Sequence, residues 1–455
     1  MFRADRRRLR AMSALLTVIL LALPAAAAAR GGGGSAGFGG GGGFRSGGGG
    51  GFGRGFGGGV GFGGGLGGGG GIGVFLLVII VLVAVAFLVT AVIVPARYRA
   101  RRRRRVEAVH LAARAAAEDD PEFAPETVEP AARRLFGTVQ TAWSAGDRQR
   151  LARLCGPDLM REWSRRLDDF DRRGWTNRVS VVGEVGVEYV GLTNRAADRD
   201  DRAVVRLEAE LRDVVLDRAG DVVLRRDSTS DTSQICEYWT LGKRDGRWIV
   251  LSIEQRQEGD HQLAEPVVAT PWSDTERLGA EALVELAAAQ KLPDGVAVSE
   301  VAAAEFTGAA RTAALDLALV DGRFSPDVLT VEVRRAVAAW AEAVDGDDAD
   351  LRELATPQAV SALLHPGDPS EHTRLVVRGP AVERVQITAL DSQSTPPTIT
   401  VELAVRGRRY IEDRDTAAVL SGSQSAAVTF AERWTLALSG SDEHPWRVVA
   451  TASAA

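Results

Sequence analysis

Residues 74–94 form an unbroken apolar run in which Thr90 is the sole polar side chain. As a helix such a run spans about 31 Å, close to the ~30 Å hydrocarbon core of a bilayer. A helix in a soluble core keeps a polar face, and this one has none, so residues 74–95 are predicted to cross a membrane. Arg97, Arg99, Arg101, Arg102, Arg103, Arg104 and Arg105 follow directly, whereas residues 31–73 on the other side hold only Arg45 and Arg54. The positive-inside rule then puts everything after the run in the cytoplasm, as a single-pass protein of the cell (inner) membrane. The seven arginines of the juxtamembrane segment, 96–118, are expected to contact anionic lipid headgroups, at ~1 kcal/mol each near the surface.

The residues ahead of the run concern address and tethering. Arg3, Arg6, Arg7, Arg8 and Arg10, an apolar stretch at 11–23 and a small-residue run at 25–29 predict a secretory signal peptide over 1–29. An uncleaved first membrane helix is the alternative, and it leaves the topology unchanged. Of the 51 glycines, 30 lie in 31–73. With almost no side chains to bury against glycine's large backbone entropy, 30–73 is expected to be a disordered tether.

The formal charge of -5, from 55 basic and 60 acidic residues, argues against a nucleic-acid partner. Two cysteines, Cys155 and Cys236, exclude a disulfide framework and are expected to be buried thiols. Five scattered histidines offer no metal site, and no cofactor is implied. Lys243 and Lys291 are the only lysines, which together with the Ala and Gly load points to a GC-rich, bacterial source.

Beyond residue 118 one pattern occurs twice. Leu135, Phe136, Val139 and Trp143 mark a first helix; Leu151 and Leu154 mark a short second one. A third opens at Pro157, carries Leu159, Trp163, Leu167 and Phe170 on one face, and stops at Gly174. After Asn177 the period changes to that of strands, near 179–192, 203–216, 222–226, 233–243 and 247–256. The order recurs from Ser325-Pro326 through Val333, Val337 and Trp340, then Leu351, Leu354 and Pro357. Strand patterns follow at 381–390, 398–405, 426–438 and 446–450. Glu237-Tyr238-Trp239-Thr240-Leu241 matches Glu432-Arg433-Trp434-Thr435-Leu436, and each precedes a second indole, Trp248 or Trp446. A duplicated unit follows: 119–256 and a divergent copy at 325–455, joined by a helical connector at 257–324 with a capping-box signature at Ser273 and Glu276. Helices first and a mostly antiparallel sheet afterwards make each unit α+β.

Asp120-Pro121-Glu122-Phe123, Ala142-Trp143-Ser144-Ala145-Gly146-Asp147, Arg173-Gly174-Trp175-Thr176-Asn177, Glu237-Tyr238-Trp239-Thr240, Arg247-Trp248 and Ile253-Glu254-Gln255 resemble the Tim-forty-four-like family. The second unit keeps only the Ala-Trp and Glu-x-Trp-Thr landmarks. The resemblance implies two cone-shaped domains of the nuclear-transport-factor-two-like type. It also implies membrane association, affinity for anionic lipid such as cardiolipin, and a non-catalytic role with a protein partner, linked to protein transport. Trp143, Gly174, Asn177, Glu237, Trp239, Trp248, Trp340, Glu432, Trp434 and Trp446 are its structural landmarks here. No nucleophile, phosphate-loop or metal motif is present. Glu237 and Glu432 share a strand face with the Trp two residues on, so a pocket base is conceivable; the plainer expectation is a charge at the wet end of a strand. The rival reading is a tethered small-molecule-binding or enzymatic pocket protein of the same fold.

Overall fold

The computed structural model describes Leu82 and residues 89–223, 231–293, 295–301, 309–343 and 348–453. The expected signal peptide, the Gly-rich tether and most of the apolar run therefore lie outside the described residues. Among the described residues no helix is long and apolar enough to cross a membrane. The end of the apolar run, Val89–Ile93, is a π-helical turn that passes directly into helix α1 (Val94–Ala116).

Two α+β units follow, each with its own core. The first contains α1, a 3-10 turn at Pro121–Phe123, α2 (Pro125–Ser144), α3 (Arg148–Leu154) and α4 (Pro157–Arg173). Its antiparallel sheet runs in the order β1 (Thr176–Thr193), β2 (Arg202–Leu216), β4 (Thr232–Arg244), β5 (Arg247–Gln255), with β3 (Val222–Val223) paired to β2. A connector holds a 3-10 turn at Gly259–Leu263, α5 (Thr275–Ala289) and α6 (Val298–Val301). The second unit repeats the plan with α7 (Ala310–Ala318), a 3-10 turn at Gly322–Phe324, α8 (Pro326–Glu342), α9 (Ala349–Leu354) and α10 (Pro357–Leu364). Its sheet is β6 (Thr373–Asp391), β7 (Thr398–Asp413), β8 (Val419–Leu438) and β9 (Trp446–Ser453).

Local chemistry sets the boundaries. Pro157 opens α4, and Gly174 closes it in the left-handed conformation, its N–H donating to Asp171 O. Leu159, Trp163, Leu167 and Phe170, one face of that helix, are buried. Ser325 caps α8 as its position suggests, accepting from Asp327 N. The connector helix departs from expectation. Ser273 is engaged with Thr270 in the preceding turn, so Asp274 takes the cap of α5, accepting from Arg277 N.

The duplication holds at atomic detail. Asp120 accepts from Glu122 N, and Asp321 from Arg323 N. Phe123 meets Trp248 edge-on, and Phe324 meets Trp446 the same way. Each of those indoles donates to the turn's backbone, Trp248 to Glu122 O and Trp446 to Arg323 O. A bridge joins Cys155 to Val250, and another joins Ala355 to Val448.

The units also begin earlier than the sequence suggests. The second half of α1 belongs to the first core, with Val109, Ala113 and Ala116 fully buried. Its counterpart α7 buries Ala313, Ala314 and Leu317. Strands β6, β7 and β8 are longer than their hydrophobic alternation. Their extra residues include charged ones such as Arg374, Arg408 and Glu412, or the Ser/Gly/Gln/Ala stretch 421–427, and neither alternates in hydropathy.

Candidate functional site

The landmark indoles and carboxylates lie between the helices and the sheet of each unit, some on the helices and some on the strands. In the first unit Trp143 Nε1 donates to Asn177 Oδ1 at 2.7 Å, and Asn177 Nδ2 donates to Asp213 Oδ1 at 2.6 Å. This chain ties α2 to the start of β1 and the end of β2. Trp143 also meets Trp163 and Phe170 edge-on, so the indoles fill the space between helices and sheet. Trp239 Nε1 donates to Glu237 Oε2 at 2.8 Å. Both carboxylates expected at a wet strand end are in fact buried, Glu237 at 2% exposure and Glu432 at 5%. The same-face geometry with the following Trp explains this: a side chain pointing at the helices is sealed by them.

The second unit differs at its equivalent pair. Trp434 is fully buried and stacks edge-on with Trp340, but its Nε1 has no hydrogen-bond partner among the described residues. Glu432 instead faces Arg409 Nη2 at 3.4 Å, and Arg409 lies over Phe430. Burial raises the Glu432 carboxyl to about 7, against the opposing pull of Arg409. Trp340 Nε1 donates to Leu363 O, with no asparagine relay.

Sequence reasoning missed a buried lysine. Lys243 Nζ contacts Asp120 and donates to Asp201 Oδ2 at 2.9 Å. It also sits 4.4 Å from the Phe123 ring centroid and 5.5 Å from that of Trp248. As one of two lysines, it was the available signal.

The arginine segment is a docked helix. Arg105 Nε donates to Val190 O and its Nη1 to Glu265 O at 2.7 Å. Arg102 pairs with Glu188 at 3.1 Å, beside the buried Arg206, which binds Glu188 and Glu208. Tyr98 Oη hydrogen-bonds Tyr238 Oη at 2.9 Å and donates to Asp260. Two of the seven arginines are thus committed to the protein; Arg97, Arg99, Arg101, Arg103 and Arg104 are exposed.

The two units meet along a charged seam that no sequence pattern announced. Glu162 of α4 is buried between Arg414 Nη2 at 2.6 Å and Arg374 Nη2 at 3.0 Å from the second unit. Burial alone would raise its carboxyl, but Arg374, Arg414 and Arg166 together hold it below the usual range. Further along, Arg378 lies 3.6 Å from Glu254 and donates to Ser252 Oγ. His261 Nε2 lies 3.0 Å from Glu254 Oε1, and its Nδ1 lies 3.0 Å from Glu265 Oε1. Its ring packs on Gly379, where φ is +53° and a Cβ would come within 2.5 Å of Cγ. Around the seam's mouth is a groove of about 940 Å³ lined by Met160, Arg161, Arg165, Arg244, Glu371 and Arg414, among others.

Burial would lower the His261 pKa, but Glu254 and then Glu265 outweigh it and raise it to about 9. A folded value above the ordinary 6.5 gives stabilisation that is complete below pH 6.5 and fades as pH rises through 9. Thermal unfolding followed between pH 7 and 10 should therefore show a loss in the wild type that His261→Gln largely lacks. An equal loss in both would remove His261 from the seam's energetics.

Two copies of one α+β unit, fused along a buried polar seam and entered through a basic helix, define a tandem-repeat protein. Residues 109–255 and 311–453 each match the family model described as Tim44-like domain, and the chain belongs to that family. No curated protein is significantly similar to it. Among solved structures, the intermembrane space region of chloroplast protein ARC6 is 12% identical with a TM-score of 0.23, over 28% of this chain and 95% of that one. An Ntf2-like protein involved in plasmid conjugation is 9% identical with a TM-score of 0.19, over 72% and 94% of the respective chains.

Proposed function

We propose that this chain is a non-enzymatic scaffold linked to protein transport, tethered in the cell membrane with both units in the cytoplasm, each built as a cone of the nuclear-transport-factor-two-like type. The observation that carries the reading is family membership over both units. The packing agrees with it: Trp143, Trp163, Phe170 and Trp239 fill the first inner face where a substrate would otherwise sit. The scaffold engages anionic lipid through the exposed arginines of α1 and a protein partner through its remaining surface.

Because α1 contributes to the core, the lipid role is tested by substitution and not by truncation. Replacing Arg97, Arg99, Arg101, Arg103 and Arg104 together with Gln removes the exposed charges and spares Arg102 and Arg105. Chain purified in detergent should bind anionic vesicles at low salt and release them at high salt, since screening acts over ~8 Å at physiological ionic strength. The fivefold variant should bind at least tenfold more weakly. Equal binding by both would take the lipid role away from these arginines.

A further inference from the structure

The Glu-x-Trp landmark is satisfied in one unit and open in the other. In the first, Trp239 Nε1 donates to Glu237 Oε2 at 2.8 Å, so donor and acceptor settle each other. In the second, Trp434 is fully buried and its Nε1 has no partner among the described residues. Arg409 Nε is also buried without a partner among them. Glu432, itself 5% exposed, accepts from Arg409 Nη2 at 3.4 Å, longer than the ~2.8 Å of a charge-assisted bond. Native interiors hold few unpaired donors, and here two stand beside one loosely held carboxyl.

The surroundings differ in a way that opens this place to solvent. From Pro157, α4 continues to Leu167 and Phe170, which join the first core together with Ile235. The same positions counted from Pro357 are Gly367 and Ser370, both exposed in the loop beyond α10. Phe430 stands two residues before its landmark Glu, as Ile235 does, yet it is only half-buried, and Val428 beyond it is exposed. The charge differs too. Leu207 pairs with Glu237, and Leu403 with Glu432. Six residues on from each lie Asp213 and Arg409, so the second unit places a cation where the first has an acid. Phe430 lies under the Arg409 guanidinium and meets Trp340 edge-on, which gives the opening an apolar wall.

We infer that the inner face of the second unit binds a small free carboxylic acid with an apolar chain. Its two oxygens accept from Arg409 and from Trp434 Nε1, and its chain lies over Phe430 towards Val428. The class follows from the donors. An alcohol has one oxygen for two donors, and an amine would leave both unpaired and face Arg409. Glu432 makes the site proton-linked. Burial raises its carboxyl to about 7 against the pull of Arg409, the charged group of β7 that faces it. α8 and β8 present Trp340, Phe430 and Trp434 there, none of them charged. Protonated, Glu432 donates to the bound carboxylate; ionised, it repels it. The inference goes beyond the scaffold reading and does not rest on it.

The test uses the full chain in detergent and calorimetric titration with hexanoate, hexanol and hexylammonium, which share a chain and differ in the head. At pH 6 hexanoate should bind at least about tenfold more tightly than either of the others. Arg409→Gln should weaken hexanoate binding at least about tenfold, and Trp434→Phe, which keeps a ring and removes the donor, severalfold. Between pH 6 and 8.5 the wild type should lose hexanoate affinity, while Glu432→Gln, a neutral donor at every pH, should hold it. No saturable binding, equal binding of the three heads, or preference for hexylammonium overturns the site. So does hexanoate affinity that neither Arg409→Gln nor Trp434→Phe weakens, or a pH profile that Glu432→Gln leaves unchanged. Acetyl-leucine carries the same head on a peptide unit. Tighter binding of it than of hexanoate would give the site to a chain's C-terminus and overturn the free acid. Should a variant unfold, the comparison of heads on the wild type still decides.

Discussion

Glu162→Ala should destabilise the fold by about 3–5 kcal/mol, enough to unfold a domain of ordinary stability. The loss of a side chain is the smaller part. Arg374 and Arg414 would stay buried, each missing the carboxylate that offsets its desolvation. A triple replacement that removes all three charges, Glu162→Met with Arg374→Leu and Arg414→Met, should recover much of the loss, since an apolar set of similar volume avoids desolvation altogether. Urea unfolding of the three proteins checks this. A loss below about 1 kcal/mol for Glu162→Ala would mean that the seam is hydrated and the units are coupled only loosely.

Trp239→Ala and Trp434→Ala should each cost about 3–5 kcal/mol, because both indoles are fully buried and pack against aromatic neighbours, Phe136 and Trp340 respectively. The conservative change to Phe separates them. Trp239→Phe leaves Glu237 without the indole donor and should cost about 1–3 kcal/mol beyond the change in packing. Trp434→Phe removes an N–H that has no partner among the described residues and should cost distinctly less. Matching losses for the two Phe variants would show that the indole hydrogen bond to Glu237 carries no weight.

Much of the fold was legible because it is written in burial. The indoles, the helix-opening prolines and Gly174 mark element ends by steric and solvation rules that act locally, and their repetition exposed the duplication. The seam was not legible. Glu412, Arg414 and Asp415 lie in a charge-dense stretch that reads as solvated, and only the far-off Glu162 makes Arg414 a buried residue. The docked helix was half legible. Its arginines announce a charged face, but Tyr98 and Arg105 find their partners about 85 to 162 residues away, beyond any local pattern. The buried states of Glu237 and Glu432 were misjudged for a related reason. Alternation says which side chains share a face, but not how completely the helices will close over it.

Tyr98 and Arg105 grip the first sheet seven positions apart, about two helical turns. A helix held at two such points has no swivel between them. Rotation or tilt of the segment entering at Val94 is therefore handed to the sheet as torque. One extra residue between Ile93 and Tyr98 would turn everything upstream by ~100° relative to the sheet. The register of that junction therefore fixes the azimuth between the chain entering at Ile93 and the first sheet, as a key fixes a shaft.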